Sequence, residues 1–344
     1  MRFEDIHGNG TVVSALRNMV DGDRIPHALM FHENDGGGAL PIALAFLQYL
    51  YCHSRAAGDS CGDCPVCRRV SKLIHPDIHF VCPIASSKEK PSTESYVSEI
   101  RELVGRNPYF YEHELYSALG IEGKQAAIAV PEARSILSKL SLSGVEGGWR
   151  SVIVYLPEKM NASAANTLLK MVEEPPEKTL FLLVTLQPEK VLQTISSRCL
   201  FLRVMPFSRS EAREVHPRQE GETTVYADLF HDLMRALVGR DLLGALETGE
   251  AVAALDSREK QKSFCRLAGE GLRNIFLLQQ GLTQLIDVPE DELAFYQEMA
   301  ARCRKTFPRQ ALAGLDRAQL LLERNVNQKI LFTDLVDRLY MTVL

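Results

Sequence analysis

Two short runs, Val152-Ile153-Val154 and Leu180 to Val184, are apolar at every position. A strand with one wet face alternates, so a strand without alternation must be buried on both faces. That condition is met in a parallel sheet covered by helices, and helical patterns do stand between the apolar runs. Pro131 opens one that includes Ile136, Leu137 and Leu140, with Gly144, Gly147 and Gly148 as the turn before a strand from Ser151 to Leu156. Asn161 is placed to cap a helix through Val172, which Pro175-Pro176 stops before the second run.

The same alternation extends towards the amino terminus. Val12, Val13, Leu16, Met19 and Val20 follow helical spacing up to Asp21-Gly22-Asp23. Ala28 to Phe31 reads as a strand, Gly36-Gly37-Gly38 as a loop, and Ala39 to Leu50 as a helix. Ile78 to Val81 is a further strand, residues 83 to 92 a polar loop with two prolines, and Ser95 to Val104 a helix. These alternations predict an α/β domain over residues 1–207, a mostly parallel sheet with helices on both faces. The pattern then changes. From Val225 onward Leu229, Leu233 and Leu237 step by four, Phe264 and Leu267 by three, and Leu331, Leu335 and Leu339 by four, an all-helical domain over 225–344. The polar stretch Pro217 to Thr224 is the expected linker.

A glycine-rich turn at a helix amino terminus can cradle phosphate oxygens with its N–H groups. A working site also needs Lys for the outer phosphates and Ser or Thr for Mg²⁺. After Gly38 stand Ala39 and Leu40, so the charge and the metal ligand are both missing. The end of the strand at Val152, where an ATPase places an Asp for Mg²⁺ and a Glu to polarise water, carries Tyr155 and Leu156. Both halves of the site are degenerate, and neither Mg²⁺ nor ATP binding is expected.

Four of the eight cysteines crowd into Cys52, Cys61, Cys64 and Cys67. A C-x8-C-x2-C-x2-C spacing can close tetrahedrally on Zn²⁺, the favoured reading. An iron–sulfur cluster shares the two-residue spacings but lacks the downstream Cys-Pro partner, and unrelated reduced thiols are the remaining alternative. A net charge of -5 excludes a uniformly basic nucleic-acid surface. The first residues lack a signal-peptide pattern and the longest apolar stretch, Ala39 to Leu47, is far below the ~18 residues of a membrane span. The cytoplasm is the expected compartment. His27, His75 and Asp77 have no nucleophile or paired base nearby in sequence, and structural roles are expected of them; Met160 and Phe181 read as core. Glu158 reads as a solvated or helix-capping charge.

Several segments then occur in a telling order: His27-Ala28-Leu29-Met30-Phe31, Glu158 to Asn161 with Ala164 to Lys170, Glu173-Glu174-Pro175-Pro176, and Thr194 to Cys199. In that order the chain resembles the clamp-loader subunits of bacterial DNA polymerase III, members of the AAA+ ATPase-like family. The resemblance covers about Phe3 to Phe207, with weaker matches at Arg258 to Leu272 and Asn325 to Leu335. Of the family's branches, the gamma/tau ATPase would keep the Lys and the acidic pair, so the defects favour the delta-prime branch; a catalytically active gamma/tau-type ATPase is the alternative. The resemblance implies an AAA+-type sheet with an inserted zinc module at 52–67, a lid reduced to 208–224, and a helical collar that joins subunits into a ring. It implies gamma/tau and delta subunits as partners, the sliding clamp and primed DNA reached through the complex, and no membrane. It also implies that Arg198, flanked by Ser197 and Cys199, is an arginine finger serving a neighbour's ATP in trans.

Overall fold

The computed structural model describes every residue except 88–90, 142–143, 146–147, 217–219, 287, 289, 325 and 344. The middle of the expected 83–92 loop, Gly147 of the expected turn and three residues of the expected linker therefore lie outside the described residues. The chain divides into two units, Met1–Phe207 and Ser208–Leu344.

The first unit is built on five parallel strands in the order β2-β3-β4-β1-β5: β1 (Ala28–His32), β2 (Ile78–Val81), β3 (Arg150–Tyr155), β4 (Thr179–Thr185) and β5 (Leu200–Arg203). β4 is buried at all seven positions and sits between β1 and β3, which is why its sequence shows no alternation. Its two faces nevertheless serve different cores. Leu180, Leu182 and Val184 join Leu29, Phe31 and Ile153 in one cluster, while Phe181 and Leu183 join Met30, Val152 and Val154 in another. The first cluster receives α1 (Gly10–Asp21), α2 (Ala39–Tyr51), α3 (Pro65–Ser71), α4 (Val97–Arg106) and α5 (Glu112–Ala118); the second receives α6 (Val130–Ser141), α7 (Ala162–Glu173) and α8 (Gln193–Ser196). Helices on both faces of a parallel sheet are thus present as expected. Every residue of α2 is buried, so this helix lies inside the unit rather than on its surface.

α7 begins where the sequence placed its cap. The Asn161 side-chain oxygen accepts the Ala164 N–H at 2.8 Å, and the helix ends at Glu173 because Pro175 disfavours helical backbone at Glu174. The fifth strand, with Leu200 44% and Phe201 48% exposed, carries no buried pattern and was not legible in the sequence. Just beyond it the Asn9 carboxamide donates to the Met205 carbonyl and accepts its N–H at 2.7 Å, occupying backbone groups that would otherwise extend an open sheet edge.

The second unit is helical throughout its described residues: α9 (Arg209–Val215), α10 (Glu220–Gly239), α11 (Leu242–Ala253), α12 (Arg258–Gln279), α13 (Glu290–Arg302), α14 (Phe307–Glu323) and α15 (Gln328–Thr342). Leu233, Leu237, Phe264, Leu331, Leu335 and Leu339 meet in its core. Gly271 permits the closest approach, since a Cβ there would lie 2.4 Å from the Phe230 ring. α10 begins at Glu220, inside the stretch expected to be linker, and α9 occupies seven residues of 208–224. Polar composition alone does not separate a linker from the first turn of a helix.

Candidate functional site

The loop after β1 has the form of a phosphate cradle. β1 ends at His32, Gly36 turns with φ +72°, and Gly38 precedes the first turn of α2. The cradle is filled from within. Glu33 is 3% exposed, and its Oε2 accepts the Ala39 N–H at 2.5 Å, so a carboxyl oxygen of the chain sits where a phosphate oxygen would meet a helix amino terminus. A Cβ on Gly37 would stand 2.8 Å from that oxygen, and one on Gly36 2.6 Å from the Tyr111 ring. The glycines thus make room for the chain's own side chains. Phe207 packs over Gly38.

Carboxylates of the chain surround the loop. Asp35 accepts the Glu112 N–H at 2.8 Å, Glu112 pairs with Lys159 at 2.9 Å and accepts from the Tyr116 hydroxyl at 2.7 Å. Burial pushes the Glu33 carboxyl up to about 8, against the Ala39 N–H, with Asp35 and Glu158 adding to the rise. Glu158 is half-buried rather than solvated and stands in the first turn of the short 3-10 segment Pro157–Lys159. Its two oxygens accept the Thr185 hydroxyl at 2.8 Å and the Leu186 N–H at 2.9 Å, holding the end of β4, and burial raises its pKa.

Ala39 and Leu40 are both buried apolar residues of α2. Tyr155 and Leu156 are buried too, Tyr155 beneath Phe80 and against Phe110 with ring centroids 5.4 Å apart in the latter pair. Burial and the surrounding carboxylates raise the Tyr155 phenol well above its ordinary value. The strand end offers packing where an ATPase offers metal ligands.

The cysteines converge. The Sγ atoms of Cys52, Cys61, Cys64 and Cys67 all lie within 4.8 Å of one another, with Cys52 and Cys61 at 3.6 Å. A tetrahedral ion with Zn–S bonds of ~2.3 Å has sulfur–sulfur edges of ~3.8 Å, so the donor set fits. Local structure explains the convergence. Cys64 caps α3, with Pro65 at its first position, and its sulfur accepts the Cys67 N–H at 3.4 Å. N–H groups of Ser54 and Cys61 point at Cys52, and that of Cys64 at Cys61. The N–H groups of Cys64 and Asp63 lower the Cys61 thiol to about 7. The module is tied to the chain's start: Asp59 accepts the Phe3 N–H at 3.1 Å and the Glu4 N–H at 2.9 Å.

Arg198 lies in the turn between α8 and β5. Its Nη1 donates to the Thr194 carbonyl at 2.8 Å and to the Ser197 hydroxyl at 3.3 Å, and its Nη2 meets Glu173 Oε1 at 2.7 Å. The side chain is 38% exposed. Cys199 instead turns inward, its thiol donating to the Ile195 carbonyl, and burial raises it to about 11. His75 and Asp77 are buried at the approach to β2, where His75 Nδ1 accepts the Asp77 N–H at 3.2 Å. Glu33, Tyr111 and Glu112 were not singled out from the sequence; an acidic residue three positions before a glycine run is the signal that could have exposed Glu33.

The family model described as "DNA polymerase III, delta subunit" matches residues 8–208. A relative from Bacillus subtilis named DNA polymerase III subunit delta' is 28% identical over 207 residues, covering 60% of this chain and 50% of the relative. One of the same name from Yersinia pestis is 31% identical, over 51% of this chain and 40% of the relative. A DNA polymerase III subunit tau from Escherichia coli is 25% identical, over 78% of this chain and 36% of the relative. The chain thus spans half or less of the length of the curated relatives it matches. Among the described residues no helix is long and apolar enough to cross a membrane.

Proposed function

The chain belongs to the delta-prime family of DNA polymerase III clamp-loader subunits, and from that premise we propose that it is a non-catalytic member working inside a ring. It assembles with gamma/tau and delta subunits through its helical unit, the collar, and acts in the cytoplasm. The assembly loads the sliding clamp on primed DNA. Residues 208–224 stand for a reduced lid. The chain itself binds no ATP, holds one structural Zn²⁺ on Cys52, Cys61, Cys64 and Cys67, and presents Arg198 to the ATP of an adjacent subunit.

The observation that carries this reading is Glu33 in the phosphate cradle, bonded to Ala39 at 2.5 Å. Nucleotide would have to expel a buried side chain, and no Lys or acidic pair rewards the exchange. The gamma/tau-type alternative needs that cradle open. Arg198 supports the trans role because its side chain is over a third exposed and no residue of its own cradle, Gly36 to Leu40, is among its bonding partners. A guanidinium reaching a neighbour's transferring phosphoryl group offsets charge that develops in the transition state. Zinc would supply no chemistry of reaction there; it closes the 52–67 loop.

Equilibrium dialysis of the isolated chain against Mg·ATP tests the reading. No binding at millimolar nucleotide is expected, and saturable, Mg²⁺-dependent binding at micromolar concentration contradicts it.

A further inference from the structure

Glu173-Glu174-Pro175-Pro176 has so far only ended a helix. Its first residue does more. Pro175 and Pro176 oblige α7 to stop at Glu173, which fixes that carboxylate at the helix carboxyl terminus, a place where the helix dipole disfavours negative charge. The Arg198 guanidinium meets it there at 2.7 Å. From the other side, the turn after α8 delivers Arg198: its own N–H bonds Ile195 O at 3.0 Å, and its Nη1 caps the carbonyl of Thr194. Two unrelated backbone endings therefore hold one guanidinium from two directions.

The geometry points to Glu173 as the positioning residue for Arg198, the side chain that keeps the guanidinium aimed outward for a neighbouring subunit's ATP; this rests on the trans role proposed above. Among the described residues Arg198 spends three N–H bonds, on Thr194, Ser197 and Glu173. A guanidinium has five N–H donors, so two are left for a phosphoryl oxygen while the first three hold its plane. Without the carboxylate only the two Nη1 bonds remain, the Nη2 edge gains freedom, and that freedom has to be given up when the ring closes. With side chains 38% and 36% exposed the pair adds little to folding, so Glu173 can be changed without unfolding the chain.

The test uses the full chain reconstituted with its clamp-loader partners, in rings where the ATPase site facing this chain is the competent one. Glu173→Gln, Glu173→Asp, Arg198→Ala and the Glu173→Gln/Arg198→Ala double variant are compared for assembly, kcat and KM. The expected result is intact assembly, a severalfold to ~10-fold lower kcat for Glu173→Gln at unchanged KM, partial recovery in Glu173→Asp, and no further loss from Glu173→Gln when Arg198 is already Ala. In the isolated chain, phenylglyoxal should modify Arg198 faster in Glu173→Gln than in the parent. If Arg198→Ala lowers kcat while Glu173→Gln changes neither kcat nor Arg198 reactivity, positioning is refuted and the trans role stands. A higher kcat in Glu173→Gln also refutes it, since Glu173 would then be restraining the finger. An equal loss from Glu173→Gln in both backgrounds assigns its effect elsewhere and overturns the proposal. If Arg198→Ala itself is silent, the trans role fails first.

Discussion

Replacing Glu33 by Gln should make the first unit more stable, and more so the higher the pH. In the parent the carboxyl titrates at about 8 when folded against an ordinary 4.5. Below pH 4.5 both states hold the proton and Glu33 contributes no pH dependence. Between the two values the unfolded chain has released its proton while the folded chain retains it, so raising the pH favours unfolding. Above about 8 both are ionised and the cost is complete. At about 1.4 kcal/mol for each pH unit separating 4.5 from about 8, that cost is on the order of 4–5 kcal/mol. Gln keeps the shape and an oxygen for the Ala39 N–H but has no proton to lose. The single tryptophan, Trp149, lies in the first unit, so its fluorescence in urea follows that unit alone. The stability of Glu33→Gln minus that of the parent should climb steadily between pH 5 and 8. A difference that stays flat across this range would refute a buried, desolvated Glu33 and with it the filled cradle.

Three further outcomes follow from local geometry. Elemental analysis should find one zinc per chain and no visible iron–sulfur band; Cys64→Ser or a strong chelator should loosen residues 52–67 while the second unit's unfolding is unchanged, because ligation energy is local folding energy. Asn161→Ala should lower the first unit's stability by about 1 kcal/mol in urea, the loss of one amino-terminal cap. Gly36→Ala combines φ +72° with a Cβ 2.6 Å from the Tyr111 ring; a cost of roughly 1–3 kcal/mol is expected in the same assay, and a neutral result would contradict both the left-handed backbone at Gly36 and the close Tyr111 contact.

The parts of the fold legible in the sequence are those that one principle decides alone. Burial on both faces announces β3 and β4, and the Asn161 side chain and the two prolines bracket α7. β5 escapes notice because three of its four residues are exposed and none is buried, whereas the other edge strand, β2, is buried at both ends and is legible; its pairing with β1 comes from topology, not composition. α3 hides inside the cysteine spacing, where the ligand pattern drowned a helix of seven residues. In the site, the proposed loss of nucleotide binding rests on residue types that the sequence displays directly, Ala39, Leu40, Tyr155 and Leu156. The side chains that fill the loop were harder to read: Tyr111 is brought there by folding from a distant helix start, and Glu33, three positions before Gly36, gives only the weak signal of an acidic residue ahead of a glycine run. The Glu173–Arg198 pair likewise joins residues 25 positions apart in a numbering that shows no period.

The measurement closest to the central claim is the Arg198→Ala chain in an otherwise native ring. Arginine fingers contribute on the order of 10³–10⁵ in rate at the site they serve, but under the proposed trans role only one of the ring's ATP sites, the adjacent one, would depend on this chain. The subunit should fold and assemble normally, total DNA-stimulated ATPase should fall in part, and clamp loading should fall further because it needs coordinated turnover. Normal ATPase together with normal loading in an intact ring would contradict the account.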